Sequence, residues 1–228
     1  MPVLTKRKKR KVPFRTVAEL LDDLGGIPLW RVCLDPAPGT ATKRELLHWH
    51  HSTGRRYELV SRTVVEKPRM GFPESFLAAE LIHLIKTFLE SDDRGYVCAP
   101  DALIELMPRL VRGPDVCFTP WVLTPDGLVG TEPISKVIPE LVVEILSSSN
   151  TPGEIRRKVK EYIEAGVKLV WVIDPQTRSA VAHTTADTAT EIPETGTLTG
   201  GGVLPGFKLP LSKLFARLAK PPAKRKKK

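Results

Sequence analysis

The chain has 228 residues, 41% of them hydrophobic, which is enough to form one folded domain without disulfides or a structural metal. Its three cysteines, Cys33, Cys98 and Cys117, are odd in number and far apart in sequence, which favours a reducing compartment. We therefore predict a cytoplasmic protein, with association with the nucleoid as one option. No run of about 18 apolar residues occurs, so no membrane span is expected. The N-terminus is basic with no apolar core after it, so no secretory signal is expected either.

The net charge of +9 is concentrated at the two ends of the chain. Residues 1–12 carry six lysines and arginines and residues 217–228 carry seven, with no acidic residue in either segment. Between them, 22 basic residues stand against 26 acidic ones, a net charge of −4. Because blocks of like charge repel each other and bury little apolar surface, we predict disordered basic tails over 1–14 and 217–228. Such tails would bind the phosphates of DNA without reading its sequence.

The hydrophobic patterns between the tails predict an α/β fold of the α+β type, with a mixed sheet flanked by helices. Two apolar segments, 138–147 and 167–175, frame a helix that begins at Thr151. Strand, helix and strand with short connections predict a right-handed βαβ crossover and a parallel strand pair buried on both faces. We expect residues 15–216 to fold as a single domain, with 15–55 as a helical extension. The other predicted elements are helices over 16–30, 43–51 and 74–91, a strand pair over 57–66, and short strands between 95 and 120.

Two carboxylates lie in apolar strands, where they are costly. Glu144 is flanked by apolar residues in LVVEIL, and a buried carboxylate costs several kcal/mol unless it is paired, protonated or bound to a cation. Asp115 follows Pro114 at the start of another apolar strand. If the two strand ends are adjacent, a divalent cation such as Mg²⁺ or Mn²⁺ would relieve their repulsion. Alternatively, Asp115 is only a strand-entry residue and Glu144 pairs with an arginine such as Arg112.

A lysine on the helix after Glu144 is the third candidate. At about 100° per residue, Lys158 borders the apolar stripe of this helix and could reach back to the sheet end that carries Glu144. Its ammonium group would orient water or stabilise developing negative charge. The alternative is a surface lysine whose aliphatic stem lies along the protein. The apolar stripe consists of Ile155, Val159, Tyr162 and Ile163.

The segments that carry these residues resemble the Uma-two family of restriction-endonuclease-like proteins, which belongs to the PD-(D/E)XK nuclease superfamily. The resemblance covers about residues 15–216. It implies a restriction-endonuclease-like core and hydrolysis of phosphodiester bonds in DNA with Mg²⁺ or Mn²⁺ as cofactor. The matching segments are RYELV (56–60), PDV (114–116), PELVVEILS (139–147), KVKEY (158–162), EAGVKLVWVIDP (164–175) and LPGFKLPL (204–211).

The resemblance also implies roles for individual residues. Asp115 and Glu144 would bind the metal, and both would be catalytic. The superfamily lysine normally follows the second acid by two residues, but Leu146 occupies that position here. The family has a displaced lysine on the next helix, which matches Lys158, and Glu58 matches a recurrent supporting acid. The resemblance implies that these two residues are catalytic as well.

The start of the long helix departs from the family pattern. Many members have a histidine there, whereas this chain has ESFLAAE (74–80), so Glu74 is the candidate substitute.

The sequence leaves three functions open. The first is a metal-dependent deoxyribonuclease, which would favour a two-fold homodimer if it cuts both strands. The second is a non-catalytic nucleic-acid-binding module on a degenerate nuclease fold. The third is a scaffold or dimerisation domain that binds no nucleic acid.

Overall fold

The structure is a computed structural model and describes residues 14–219. The predicted basic tails therefore lie outside the described residues, apart from Phe14 and residues 217–219. The helices are α1 (Val17–Asp23), α2 (Lys43–Thr53), α3 (Phe72–Leu89), α4 (Pro152–Glu164) and α5 (Leu211–Leu214). The strands are β1 (Arg56–Val60), β2 (Thr63–Lys67), β3 (Gly95–Cys98), β4 (Ile104–Met107), β5 (Leu110–Arg112), β6 (Val116–Pro120), β7 (Leu141–Ile145), β8 (Leu169–Asp174), β9 (Ser179–His183), β10 (Ala189–Ile192), β11 (Thr197–Thr199) and β12 (Lys208–Pro210).

The strands form one mixed and two antiparallel sheets. The mixed sheet has six strands in the order β10-β9-β8-β7-β6-β3, and its one parallel pair is β7–β8. Helix α4 connects this pair, which confirms the predicted βαβ crossover and mixed sheet. A four-stranded antiparallel sheet has the order β2-β1-β5-β4, and β11 pairs with β12.

Strands β7 and β8 are apolar because both faces of the six-stranded sheet are covered. On one face, Val143 and Ile145 pack in a cluster with Leu81 of α3. On the other face, Val142 packs in a cluster with residues of α4 and the four-stranded sheet. Since side chains alternate along a strand, Glu144 points to the same face as Val142. The fold therefore directs this carboxylate towards α4.

Helix α4 begins against the N-terminal extension. Thr151 is its N-cap: its Oγ1 accepts a hydrogen bond from Glu154 N and donates one to Gly25 O at 2.7 Å. The two backbones approach so closely that a Cβ on Gly153 would lie 2.5 Å from Gly25 O, so both positions require glycine. Arg31 donates to both carboxylate oxygens of Glu154, at 2.6 and 2.9 Å. These contacts fix the position of the first turn of α4.

Candidate functional site

The register of β6 and β7 places Asp115 beside Glu144. The strands are antiparallel with Val116 opposite Val143, so residues 115 and 144 are next in line. Asp115 N donates to Val143 O at 3.1 Å, and Asp115 Oδ2 accepts a hydrogen bond from Ile145 N at 2.8 Å. Both carboxylates are almost fully buried, with 2% and 3% of their surface exposed. The two acids therefore lie at adjacent strand ends.

Two side chains of α4 hold Glu144. Lys158 Nζ donates to Glu144 Oε2 at 2.9 Å, and Tyr162 OH donates to Glu144 Oε1 at 2.6 Å. Because residues four apart lie on the same side of a helix, the spacing of 158 and 162 suits this grip. The predicted reach of Lys158 to Glu144 is confirmed. The alternative pairing of Glu144 with Arg112 is wrong, because Arg112 pairs with other acids.

The neighbouring charges keep both of these donors protonated. Burial alone would lower the pKa of Lys158, but the carboxylates of Glu144, Glu58 and Glu154 together outweigh it and raise this pKa above its usual value. Burial and the charge of Glu144 raise the pKa of Tyr162 well above its usual value. At neutral pH, Glu144 therefore accepts hydrogen bonds from an ammonium group and a neutral hydroxyl.

Glu58 belongs to a buried group of charges that we call the interior network: Glu58, Arg112, Lys158 and Glu161. Arg112 Nη1 donates to Glu58 Oε2 at 2.6 Å, and its Nε and Nη2 donate to Glu161 Oε2 at 2.8 and 2.6 Å. Lys158 Nζ lies 3.5 Å from Glu58 Oε1, which also accepts from Gly113 N at 3.2 Å. Glu58 thus contacts Glu144 only through Lys158.

Burial by itself would raise the pKa of Glu58. The positive charges of Lys158, Arg112 and Lys67 together outweigh that effect and hold this pKa well below its usual range. Glu58 is therefore a carboxylate at neutral pH.

A narrow hollow, which we call the site cavity, opens beside Asp115 and Glu144. Lys67, at the end of β2, donates to Asp115 Oδ1 at 2.8 Å and also to Gly113 O. Glu74, in the first turn of α3, has a buried Oε2 atom without a hydrogen-bond partner. The lining residues are Lys67, Pro68, Arg69, Met70, Glu74, Asp115, Glu144, Ile145, Ser147, Ser149 and Asn150.

The oxygen atoms around the cavity are of the kind that Mg²⁺ and Mn²⁺ prefer. Carboxylates of Asp115, Glu144 and Glu74 line it, and Mg²⁺ is usually bound through one or two carboxylates plus water. Within residues 14–219, however, no three side chains of His, Cys, Asp and Glu are already gathered closely enough to bind a metal ion. The unpartnered oxygen of Glu74 fits an added cation, although the three acids would have to move closer together to share it.

The predictions from sequence missed two residues of this region. Lys67 ends an ordinary strand, and its contact with Asp115 joins residues 48 positions apart. Arg31 reaches Glu154 across 123 positions. Neither residue belongs to a motif. The one indication in the sequence was that burying an unpaired acid is costly, so each buried acid was expected to have a partner.

The fold also matches that of a solved structure. It matches a solved structure described as a "putative nuclease belonging to DUF820" from Anabaena variabilis ATCC 29413, with a TM-score of 0.66 and 15% sequence identity. The match covers 75% of this chain and 97% of that one, and at this identity it shows the fold alone.

Residues 44–212 match the Uma2 family, described as "Putative restriction endonuclease", and the chain therefore belongs to that family. The resemblance predicted from the motifs is confirmed. The matched range includes Glu58, Asp115, Glu144 and Lys158, whose individual roles stay predictions, but not Arg31. A comparison with curated proteins gives no match. In the part of the chain that the structure describes, no helix is long and apolar enough to cross a membrane.

Proposed function

We propose that the protein is a Mg²⁺- or Mn²⁺-dependent endonuclease that hydrolyses phosphodiester bonds in DNA. The observation that carries this proposal is the placement of two buried carboxylates, Asp115 and Glu144, at adjacent strand ends beside one cavity. Membership of a family described by restriction endonuclease activity supports it.

Asp115 and Glu144 would hold the metal, with Glu74 supplying a further oxygen. When bound, such an ion polarises the phosphate and lowers the pKa of a bound water. Lys67 already neutralises one oxygen of Asp115. Its ammonium group can also contact a phosphate oxygen, because it has three donors and the protein uses two.

Lys158 and Tyr162 fix the orientation of Glu144 through both of its oxygens. Lys158 is only 1% exposed, so its first role is to hold this carboxylate in place. Its remaining donor can orient an attacking water beside Glu144. Glu58 supports the site by keeping Lys158 charged and fixed.

The partner in this proposal is DNA, bound partly through the basic tails. Each lysine or arginine that meets a phosphate adds about 0.9 to the slope of log affinity against log salt on duplex DNA. Cutting both strands of a duplex would favour a two-fold homodimer.

The test is a cleavage assay with the purified full chain on plasmid and single-stranded DNA, with Mg²⁺, Mn²⁺ or EDTA. Asp115→Asn and Glu144→Gln keep the shape of each side chain and should reduce cleavage by about 100-fold or more. Asp187→Asn, in the exposed turn between β9 and β10, is the matched control and should cleave normally. Equal activity of the wild type and both site variants would refute the assignment.

One observation favours a second candidate, the non-catalytic nucleic-acid-binding module. Lys67 contacts Asp115 in the way a cation would, and a fixed ammonium group could replace the metal permanently. A Mn²⁺ titration separates the candidates. Uptake that is lost in Asp115→Asn supports the nuclease, whereas DNA binding without any uptake that depends on Asp115 supports the module.

A further inference from the structure

Two other hollows adjoin the site cavity. The arginine hollow is lined by Arg55, Arg56, Arg69, Met70 and Ser75 together with Gly54, Pro100 and Asp101. The apolar hollow is lined by Phe72, Pro73, Phe76, Pro175 and Leu218 together with Glu74, Gln176, Arg217 and Ala219. Arg69 and Met70 also line the site cavity, and so does Glu74. The three hollows therefore form one continuous surface with the candidate catalytic carboxylates in the middle.

The arginine hollow has hydrogen-bond donors that the protein does not use. Arg69 is exposed and makes no ion pair or hydrogen bond with any other residue of the described range 14–219. Arg56 contacts Asp101 through Nε at 3.1 Å, but its Nη1 is buried without a partner. Guanidinium groups bind phosphate oxygens through two parallel N–H bonds, so the free and exposed guanidinium group of Arg69 suits a phosphate group.

The apolar hollow carries an aromatic ring that faces solvent. Phe72, the first residue of α3, is 88% exposed and lies two positions before Glu74. The nearby Arg217 is exposed and likewise has no bonding partner among the residues that the structure describes. An exposed aromatic ring beside positive charge matches the surfaces on which proteins stack unpaired bases.

We propose that this continuous surface binds an unpaired strand of DNA. The strand crosses the site cavity, with a phosphate on Arg69 on one side and a base stacked on Phe72 on the other. A duplex cannot stack a base on the ring of Phe72, because its bases already stack on each other and present only their edges. The proposal rests on the proposed function of the site cavity and goes beyond it by naming the state of the strand.

The experiment measures binding, not cleavage. Fluorescence anisotropy with the full chain in EDTA compares a short labelled single strand with a duplex of the same sequence. Phe72→Ala should weaken single-strand binding by roughly 5- to 100-fold and leave duplex binding unchanged. Arg69→Gln should weaken single-strand binding and reduce its salt slope by about 0.7, the value for one phosphate on a single strand.

Matched controls use exposed residues that line none of the three hollows. Val122→Ala removes two methyl groups from a residue that is 86% exposed. Arg44→Gln removes the guanidinium group from a side chain that is 88% exposed. Neither should change the affinity by more than about 2-fold, because neither touches the proposed path. Phe72→Trp should restore the affinity that Phe72→Ala loses, since tryptophan also stacks.

The binding partner of Phe72 can be tested on the DNA side. A series of single strands with one abasic position each should include a strand that binds wild type and Phe72→Ala equally, because the stacked base is then missing from both complexes. Failure of cleavage with this pattern intact would refute only the nuclease proposal. The strand proposal is refuted if Phe72→Ala behaves like Val122→Ala, or if it weakens duplex binding or the binding of an RNA strand instead.

Discussion

The interior network and the site cavity both place carboxylates in the protein interior, but of the two only the cavity contains a buried carboxylate oxygen without a donor among the described residues. Glu58 accepts from Arg112 and Gly113 N and forms an ion pair with Lys158. On the cavity side, Asp115 and Glu144 each have donors on both oxygens, whereas Glu74 has a buried oxygen with no donor. The chain therefore supplies donors to the carboxylates of the network but leaves one acceptor of the cavity, Glu74 Oε2, open where a cation could enter.

Energetics explain why this difference is informative. An unpaired buried polar atom costs about 1–3 kcal/mol, so a folded protein retains few of them. The network avoids this cost through the planar guanidinium group of Arg112, which serves Glu58 and Glu161 together. The open oxygen of Glu74 remains a cost to stability, and binding of a cation would remove it.

The largest expected effect is the loss of Arg112. Arg112→Met leaves Glu58 and Glu161 buried without their main partner and should lower the free energy of unfolding by about 3–5 kcal/mol. Arg44→Met is the control, because its pair with Glu45 is exposed and contributes less than about 0.5 kcal/mol. Urea unfolding of the three proteins measures the difference. Equal midpoints for Arg112→Met and the wild type would show that the network is not structural.

The second prediction concerns the loss of stability at low pH. Because the pKa of Glu58 is lower in the folded state, its contribution to stability is fully present above the unfolded value of about 4.3 and is lost as the pH falls below it. Glu58→Gln should therefore be less stable than the wild type at neutral pH, and this deficit should shrink below about pH 4. Urea unfolding across this range measures it. A deficit that stays constant down to pH 3 would contradict the pairing.

The sequence predicted the parts of the site that depend on local pattern. Asp115 and Glu144 were identified as candidates because each is a carboxylate in an apolar strand. Helix periodicity indicated the side of α4 on which Lys158 lies. The sequence alone could not predict the pair of Glu58 and Arg112. This pair arises from the register of β1 and β5, in which Leu59 lies opposite Val111. Register and long-range packing come from the assembled sheet and leave little trace in a single strand.

The same reasoning explains what was missed around the cavity. Lys67 and Arg31 have long side chains that reach partners far away in sequence. The sequence contains many other lysines and arginines and does not indicate which of them pairs with a given buried acid. The fold class and the crossover were predictable because strand and helix periods are local. The four-stranded sheet as a separate layer was not, because its strands are short and its pairing is non-local.

Tyr162 lies at the boundary of the two regions and gives an intermediate prediction. Tyr162→Phe removes the hydroxyl that donates to Glu144 Oε1 at 2.6 Å and leaves this oxygen without that donor. Stability should fall by about 1–3 kcal/mol in metal-free buffer. Added Mn²⁺ should recover part of the loss, since a cation can bind the same oxygen. If Mn²⁺ raises the stability of neither protein, Glu144 belongs to the structural network instead.

The smallest effect on stability is expected at Glu74. Its Oε2 has no hydrogen bond to lose, so Glu74→Gln should change the free energy of unfolding by less than about 1 kcal/mol without metal. With Mn²⁺, the free energy of unfolding should rise more for the wild type than for Glu74→Gln. Binding to the folded state stabilises it by RT ln(1 + [L]/Kd), and the variant has a weaker site. Glu90→Gln, at the exposed C-terminal end of α3, should respond to Mn²⁺ like the wild type. A loss in metal-free buffer as large as that of Tyr162→Phe would place Glu74 among the structural charges. The distinction between the network and the cavity would then fail, because the open carboxylate oxygen of the cavity would have been part of the folded framework.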